Sequence, residues 1–268
     1  MKFAFSTLGC PEWTWGEIKS AAADLGFDGV EIRGIRGEMY APNLAIFQPE
    51  QLLPTLAELH RLSLSISCLT TACFLFDKEN IEKHMADARA YIDLAARIGV
   101  PNIRLLGDAA PEAGEGIDVD FVAANLKELA QYAADKRVYV LLENNGVFAD
   151  SKVIVDVMQK VNHPSAGILW DVHHPFRYFG ESAEYTYEMV KPWLRYIHMK
   201  DSIMVDGKCV YRMVGDGDEP NLEVLRLLKR DRFNGYVSLE WVKRWNRELT
   251  EPGIVFPRFI SYVRRYGK

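Results

Sequence analysis

Four residues in the second half of the chain are of types that bind metal ions and move protons: Glu143, Asp171, His198 and Glu240. Each closes a short apolar run, in Leu141-Leu142-Glu143-Asn144-Asn145, Leu169-Trp170-Asp171, Ile197-His198-Met199-Lys200-Asp201 and Ser238-Leu239-Glu240-Trp241. A single carboxylate in such a place can be a helix cap or half of a rim salt bridge. Four in equivalent places point to one shared site, because a charge beside a core is costly unless it is paired or metal-bound. Three carboxylates and an imidazole, with no thiolate, form a hard, oxygen-rich set that suits Mn2+, Mg2+ or Co2+ better than a structural zinc. An ion so held can take a substrate with vicinal oxygens, polarise its carbonyl and stabilise an enediolate.

The elements that must carry these residues follow from the apolar pattern. Short β-rich runs alternate with longer helical ones, which argues for βα units and a mainly parallel sheet. The runs predict strands over 2–6, 29–33, 63–69, 102–106, 138–143, 167–171, 196–199 and 236–240. Helices are expected over 13–25, 49–61, 79–98, 119–136, 151–161, 182–191, 222–229 and 254–266. Eight such units in one chain of 268 residues predict an α/β fold, a single-domain (β/α)8 TIM barrel over 1–268, whose active sites gather at strand ends. An open doubly wound sheet is the rival, and no G-x-G-x-x-G follows the first strand to support it. The stretch 203–211 carries the Asp206-Gly207 signal of a tight hairpin, read as a β-ribbon over the barrel mouth.

Composition limits the partners. With 32 Lys+Arg against 37 Asp+Glu the formal charge is −5, so a sequence-independent grip on nucleic-acid phosphates is not expected. No apolar run reaches the roughly 18 residues of a membrane-spanning helix, and the run before Cys10 breaks at Pro11-Glu12, reading as a first strand rather than a signal. The four cysteines contain no C-x-x-C pair, which fits a reducing, cytoplasmic location.

The strand ends resemble those of the xylose isomerase-like TIM-barrel superfamily, which includes the sugar phosphate isomerase/epimerase family. The resemblance rests on Glu143-Asn144, Asp171-Val172-His173-His174, His198-Met199-Lys200-Asp201, Gly215-Asp216-Gly217 and Gly235-Tyr236-Val237-Ser238-Leu239-Glu240, and spans essentially the whole chain. It implies that Glu143, Asp171, His198 and Glu240 hold one divalent cation, Mn2+ first, with Mg2+, Co2+ or Zn2+ as alternatives. It also implies that Glu143 and Glu240 are the acid–base pair of an isomerase or 3-epimerase acting on a small keto-sugar or polyol. Two glutamates flanking an enediolate can exchange the roles of base and acid. His174 matches a substrate-binding position, whereas His173 is equally readable as a packed core histidine. Lys200 and Asp201 are expected at the mouth.

Some positions depart from the family pattern. Asn145 stands where many relatives have histidine, and Met204 where the epimerases have a substrate arginine, for which Arg212 is a candidate replacement. Gly215-x-Gly217 before a helix resembles a phosphate seat, but Asp216 and Asp218 favour an unphosphorylated substrate. Glu31 on the second strand end, with Trp13 and Trp15 after the first, are candidate substrate contacts, the indoles offering faces for a sugar's C–H surface. A metal-dependent lyase of the inosose or dehydroshikimate dehydratase type is the alternative chemistry. An endonuclease IV-like repair enzyme would need more histidines at early strand ends, and a non-catalytic sugar-binding barrel would not need the full ligand set. The Trp13–Trp15 and Trp241–Trp245 segments are candidate faces for a second copy of the chain.

Overall fold

The computed structural model describes residues 1–267. In chain order the strands are β1 (Lys2–Ser6), β2 (Gly29–Ile32), β3 (Ser65–Phe74), β4 (Asn102–Leu106), β5 (Tyr139–Glu143), β6 (Ala166–Asp171), β7 (Leu194–Met199), β8 (Asp201–Val205), β9 (Lys208–Arg212) and β10 (Tyr236–Leu239). The α-helices are α1 (Trp15–Leu25), α2 (Pro49–Arg61), α3 (Ile81–Ile98), α4 (Val119–Ala133), α5 (Ser151–Val161), α6 (His173–Phe179), α7 (Ala183–Val190), α8 (Asn221–Arg230) and α9 (Pro252–Gly267). Eight strands hydrogen-bond in the cyclic order β1-β10-β7-β6-β5-β4-β3-β2, a closed barrel, and β8 pairs with β9 as a separate ribbon. No helix among the described residues is long and apolar enough to cross a membrane.

By compactness the chain divides into Met1–Ser67 with Ile197–Lys268, and Cys68–Tyr196. In the first unit, Thr14 starts α1 with a capping box: its side chain accepts from the Glu17 amide and the Glu17 carboxylate accepts from the Thr14 amide. Phe5 of β1 packs at 4.2 Å on Phe256 of α9 and at 4.9 Å on Phe27. Strand alternation then turns Ala4 and Ser6 to the opposite face, and the register Ser6↔Glu31 and Ala4↔Ser238 carries that face across β2 and β10. The polar interior of this unit is built by that alternation.

In the second unit, Asp118 caps α4 and Asp150 caps α5 through backbone amides, and Asn162 ends α5 in the left-handed conformation. Gly107, just after β4, is required by close approach: an added Cβ would lie 2.4 Å from the Phe148 ring. The register Arg104↔Leu141 and Leu169↔Glu143 places Arg104, Glu143 and Asp171 on one face by the same alternation.

The expected ribbon forms, with Asp206 and Gly207 both at positive φ, 49° and 74°, as a two-residue hairpin of this twist requires. Two features differ from expectation. β3 continues to Phe74 rather than ending at Leu69, because a register shift between Thr70 and Phe74 lets it keep pairing with β4. The short α6 starts two residues after Asp171, whose carboxylate accepts the His173 amide at 2.9 Å.

Candidate active site

His198 is fully buried near the end of β7. Its Nε2 lies 2.9 Å from Glu31 Oε2, and its Nδ1 lies 3.4 Å from Glu240 Oε1. With the ring neutral and Nε2–H donating a hydrogen bond to Glu31, Nδ1 presents a lone pair. Two electron-rich atoms then face each other, an approach that a cation between them makes favourable. Burial alone would raise the Glu31 pKa, but His198, by its charge when the ring is protonated and by its hydrogen bond, outweighs it and holds the carboxyl below its ordinary value; Glu240 opposes this and Ser6 assists. Lys200 is also buried, and its Nζ lies 2.5 Å from Glu240 Oε2.

Glu143 ends β5 against a buried arginine, with Arg104 Nε 3.0 Å from Glu143 Oε2. The next residue ties two strand ends together: Asn144 Nδ2 donates to the Asp171 carbonyl at 3.1 Å, and the Asp171 amide donates to Asn144 Oδ1 at 2.6 Å. His174 Nδ1 sits 3.1 Å from the Asn144 carbonyl and Nε2 3.8 Å from Asp171 Oδ2. His173 is fully buried and meets the rings of His174 and Tyr178 edge-on, at 5.6 Å each. Asn145 donates to the Asp108 carbonyl at 3.0 Å and so anchors a loop.

Glu143, Asp171, His198 and Glu240, all buried, each offer one ligand atom, and these atoms lie within 4.8 Å of one another. Three carboxylates gathered so closely repel one another unless a cation intervenes. One imidazole and three carboxylate oxygens are a donor set for a hard or borderline divalent ion. The residues present therefore fit a bound metal.

The family described as "Xylose isomerase-like TIM barrel" matches residues 20–256. The chain belongs to that family. Among curated proteins it is similar to fructoselysine 3-epimerase of Escherichia coli O157:H7, 23% identical over 249 residues, which are 85% of this chain and 85% of that protein. Among solved structures it is similar to the probable 3-DHS dehydratase AsbF involved in petrobactin synthesis from Bacillus anthracis, with TM-score 0.79 at 18% identity over 99% of each chain. D-psicose 3-epimerase with D-tagatose from Clostridium cellulolyticum H10 gives TM-score 0.78 at 17% identity over 100% of both chains.

Other expected site residues of this xylose isomerase-like barrel find varied places. Glu31, expected to touch substrate, is fully buried behind the imidazole and serves as the hydrogen-bond partner of His198. Trp13 is half-buried with its edge on Phe256, and Trp15 opens α1, also half-buried. Arg212 ends β9 opposite Asp201, half-buried, with Nη1 donating to the Tyr211 carbonyl at 3.1 Å. Asp201 occupies the Gly215-x-Gly217 turn: its carboxylate accepts the amides of Gly215 at 2.8 Å, Gly217 at 3.2 Å and Glu219 at 3.2 Å. An added Cβ at Gly217 would lie 2.0 Å from Asp201 Oδ1, so glycine there permits the carboxylate to dock. Burial raises the Asp201 pKa, the Gly215 amide pulls it back and Glu219 raises it again.

Sequence reasoning passed over Arg104 and gave Asn144 no role beyond its place in a motif. The signal for Arg104 was present: a charged residue inside the apolar run Ile103-Arg104-Leu105-Leu106 needs a buried partner as much as Glu143 does.

Proposed function

We propose that the protein is a divalent-metal-dependent 3-epimerase or isomerase of a small, unphosphorylated keto-sugar or polyol, with Mn2+ as its ion and no macromolecular substrate. The observation that carries this reading is the buried ligand cluster of Glu143, Asp171, His198 and Glu240. The names of the similar proteins, two of them sugar 3-epimerases, support the same class.

Glu143, Asp171, His198 and Glu240 would hold the ion, whose contribution when bound is to polarise the substrate carbonyl. Glu143 and Glu240 divide the proton work. One carboxylate removes the proton from the carbon next to the carbonyl, leaving the electron pair delocalised onto the carbonyl oxygen. The other delivers a proton, to the opposite face of that carbon for epimerisation or to the former carbonyl carbon for isomerisation. Arg104 and Lys200 each compensate one of these buried charges. His174, in this reading, binds a substrate oxygen beside Asp171. The carboxylate of Asp201 on the Gly215 and Gly217 amides supports an unphosphorylated substrate.

Incubation of the Mn2+-loaded protein with ketohexoses and inososes in D2O, followed by NMR, tests this. Deuterium at the carbon next to the carbonyl, with appearance of the epimer or aldose, is the expected result, and Glu143→Gln and Glu240→Gln should each abolish it. Undiminished exchange in Glu240→Gln overturns the two-glutamate mechanism. Loss of water with an enone absorbance assigns the site to the dehydratase alternative instead.

A further inference from the structure

Arg104 is a charged residue in the middle of β4, only 4% exposed, between the fully buried Ile103 and Leu105. Its register with Leu141 puts it on the face of the sheet that Glu143 shares. Besides the 3.0 Å approach of Nε to Glu143 Oε2, its Nη1 donates to the Thr71 carbonyl at 3.0 Å. Thr71 returns the contact: Oγ1 donates to the Arg104 carbonyl at 2.8 Å and accepts the Cys73 amide at 3.0 Å.

These bonds form where the β3–β4 ladder slips. Thr70 pairs with Arg104 and Phe74 with Leu106, so the stretch from 70 to 74 runs beside the shorter stretch from 104 to 106. An irregularity of this kind withdraws main-chain groups from the ladder and re-aims side chains. Here it turns the Thr71 carbonyl to the guanidinium, and the Thr71 hydroxyl closes the loop. The bulge, the threonine and the arginine thus form one device whose far end is a carboxylate of the ligand cluster.

We propose that Arg104, clamped by Thr71, is a positioning residue whose fixed charge holds the Glu143 carboxylate in place for proton transfer. It acts through Glu143 and touches no substrate atom, and the proposal rests on the proton-transfer reading above. Nε makes no hydrogen bond, so its 3.0 Å approach to Glu143 Oε2 acts through charge; a guanidinium anchored at Nη1 holds that charge at a fixed place beside the carboxylate, which a flexible ammonium does not. A carboxylate loosened by about 1 Å loses on the order of 100-fold in rate while substrate binding is kept.

The test uses the full chain at saturating Mn2+, with metal content checked for each variant, and the ketose that takes up most deuterium with the wild type. Arg104→Ala should lower kcat about 100-fold with KM within about threefold, and free guanidinium at non-denaturing concentration should restore at least about tenfold of it. Arg104→Lys should recover less than guanidinium does. A folded Arg104→Ala protein with kcat near the wild-type value, with its loss confined to KM, or without response to guanidinium overturns the proposal. Thr71→Val, which keeps the arginine and removes only the hydroxyl, decides if Arg104→Ala does not fold: kcat lower by about tenfold at unchanged KM supports the clamp, and wild-type kcat overturns it. Wild-type protein that places deuterium in no ketose overturns the proton-transfer reading itself, a result distinguishable from any outcome with Arg104.

Discussion

Glu31 Oε2 lies 2.9 Å from His198 Nε2, with both side chains fully buried. The contact has a tautomeric consequence, since in the neutral ring a proton on Nε2 leaves the Nδ1 lone pair able to ligate a metal. Carboxylates behind a metal-binding imidazole typically contribute 10–100-fold in metal affinity. Glu31→Gln should therefore weaken Mn2+ binding by roughly 10–100-fold in isothermal titration calorimetry, with the fold retained. Unchanged affinity would assign Glu31 to another task.

Lys200 and Glu240 form a pair with side chains 3% and 8% exposed. Removing one member of a buried pair strands the other charge, at a cost of about 3 kcal/mol or more. In metal-free protein, Lys200→Met should lower stability to chemical denaturation by about that amount, whereas Lys200→Met combined with Glu240→Gln should lose less than the single change. Additive losses in the double variant would show that the two side chains are not coupled.

Asp201 carries three backbone amides of the segment that leads into α8. Asp201→Ala leaves those donors without their acceptor and is expected to cost about 1–3 kcal/mol, with amide exchange accelerated first at Gly215, Gly217 and Glu219. Protection factors equal to wild type at these three amides would contradict a supporting role for the carboxylate.

Asp77 and Asp118 give a local acid dependence. The Asn80 side chain lowers the Asp77 pKa, burial opposes it and His84 assists; Lys78 lowers that of Asp118, followed by the Phe121 amide. For a carboxyl whose folded pKa is depressed, the stabilisation is present above the unfolded value, near 3.8 for aspartate, and is lost as pH falls through the lower folded value. Hydrogen exchange, corrected for intrinsic rates, should show the starts of α3 and α4 opening more at pH 3 than at pH 5. Asp118→Asn should flatten that dependence at Phe121 while leaving it at Asn80, and a uniform response at both amides would refute the assignment.

The barrel was legible because each βα unit repeats the same local signals: an apolar run, a capping residue such as Thr14 or Asp118, and a periodic helix. The clustered carboxylates were legible for the same reason, as Glu143 and Asp171 end their strands and Glu240 directly follows β10. What sequence spacing could not reveal are relations between distant segments. Glu31 read as a carboxylate at a strand end, and only folding shows that His198, 167 positions away, is its partner. Asp201 read as a mouth residue beside Lys200, yet its partners are amides that arrive after the ribbon has turned back. The extension of β3 to Phe74 escaped because a register shift belongs to a pair of strands and leaves no period in either one.

The carboxylate of Asp201 has a further consequence for which molecules can compete at that loop. A tethered anion acts at an effective concentration in the millimolar range or above, whatever the solution contains. Free phosphate, or a phosphorylated sugar at micromolar levels, meets a rival that never diffuses away. Seating a phosphate on the Gly215 and Gly217 amides by design thus begins with evicting the chain's own aspartate, before any new cation is added.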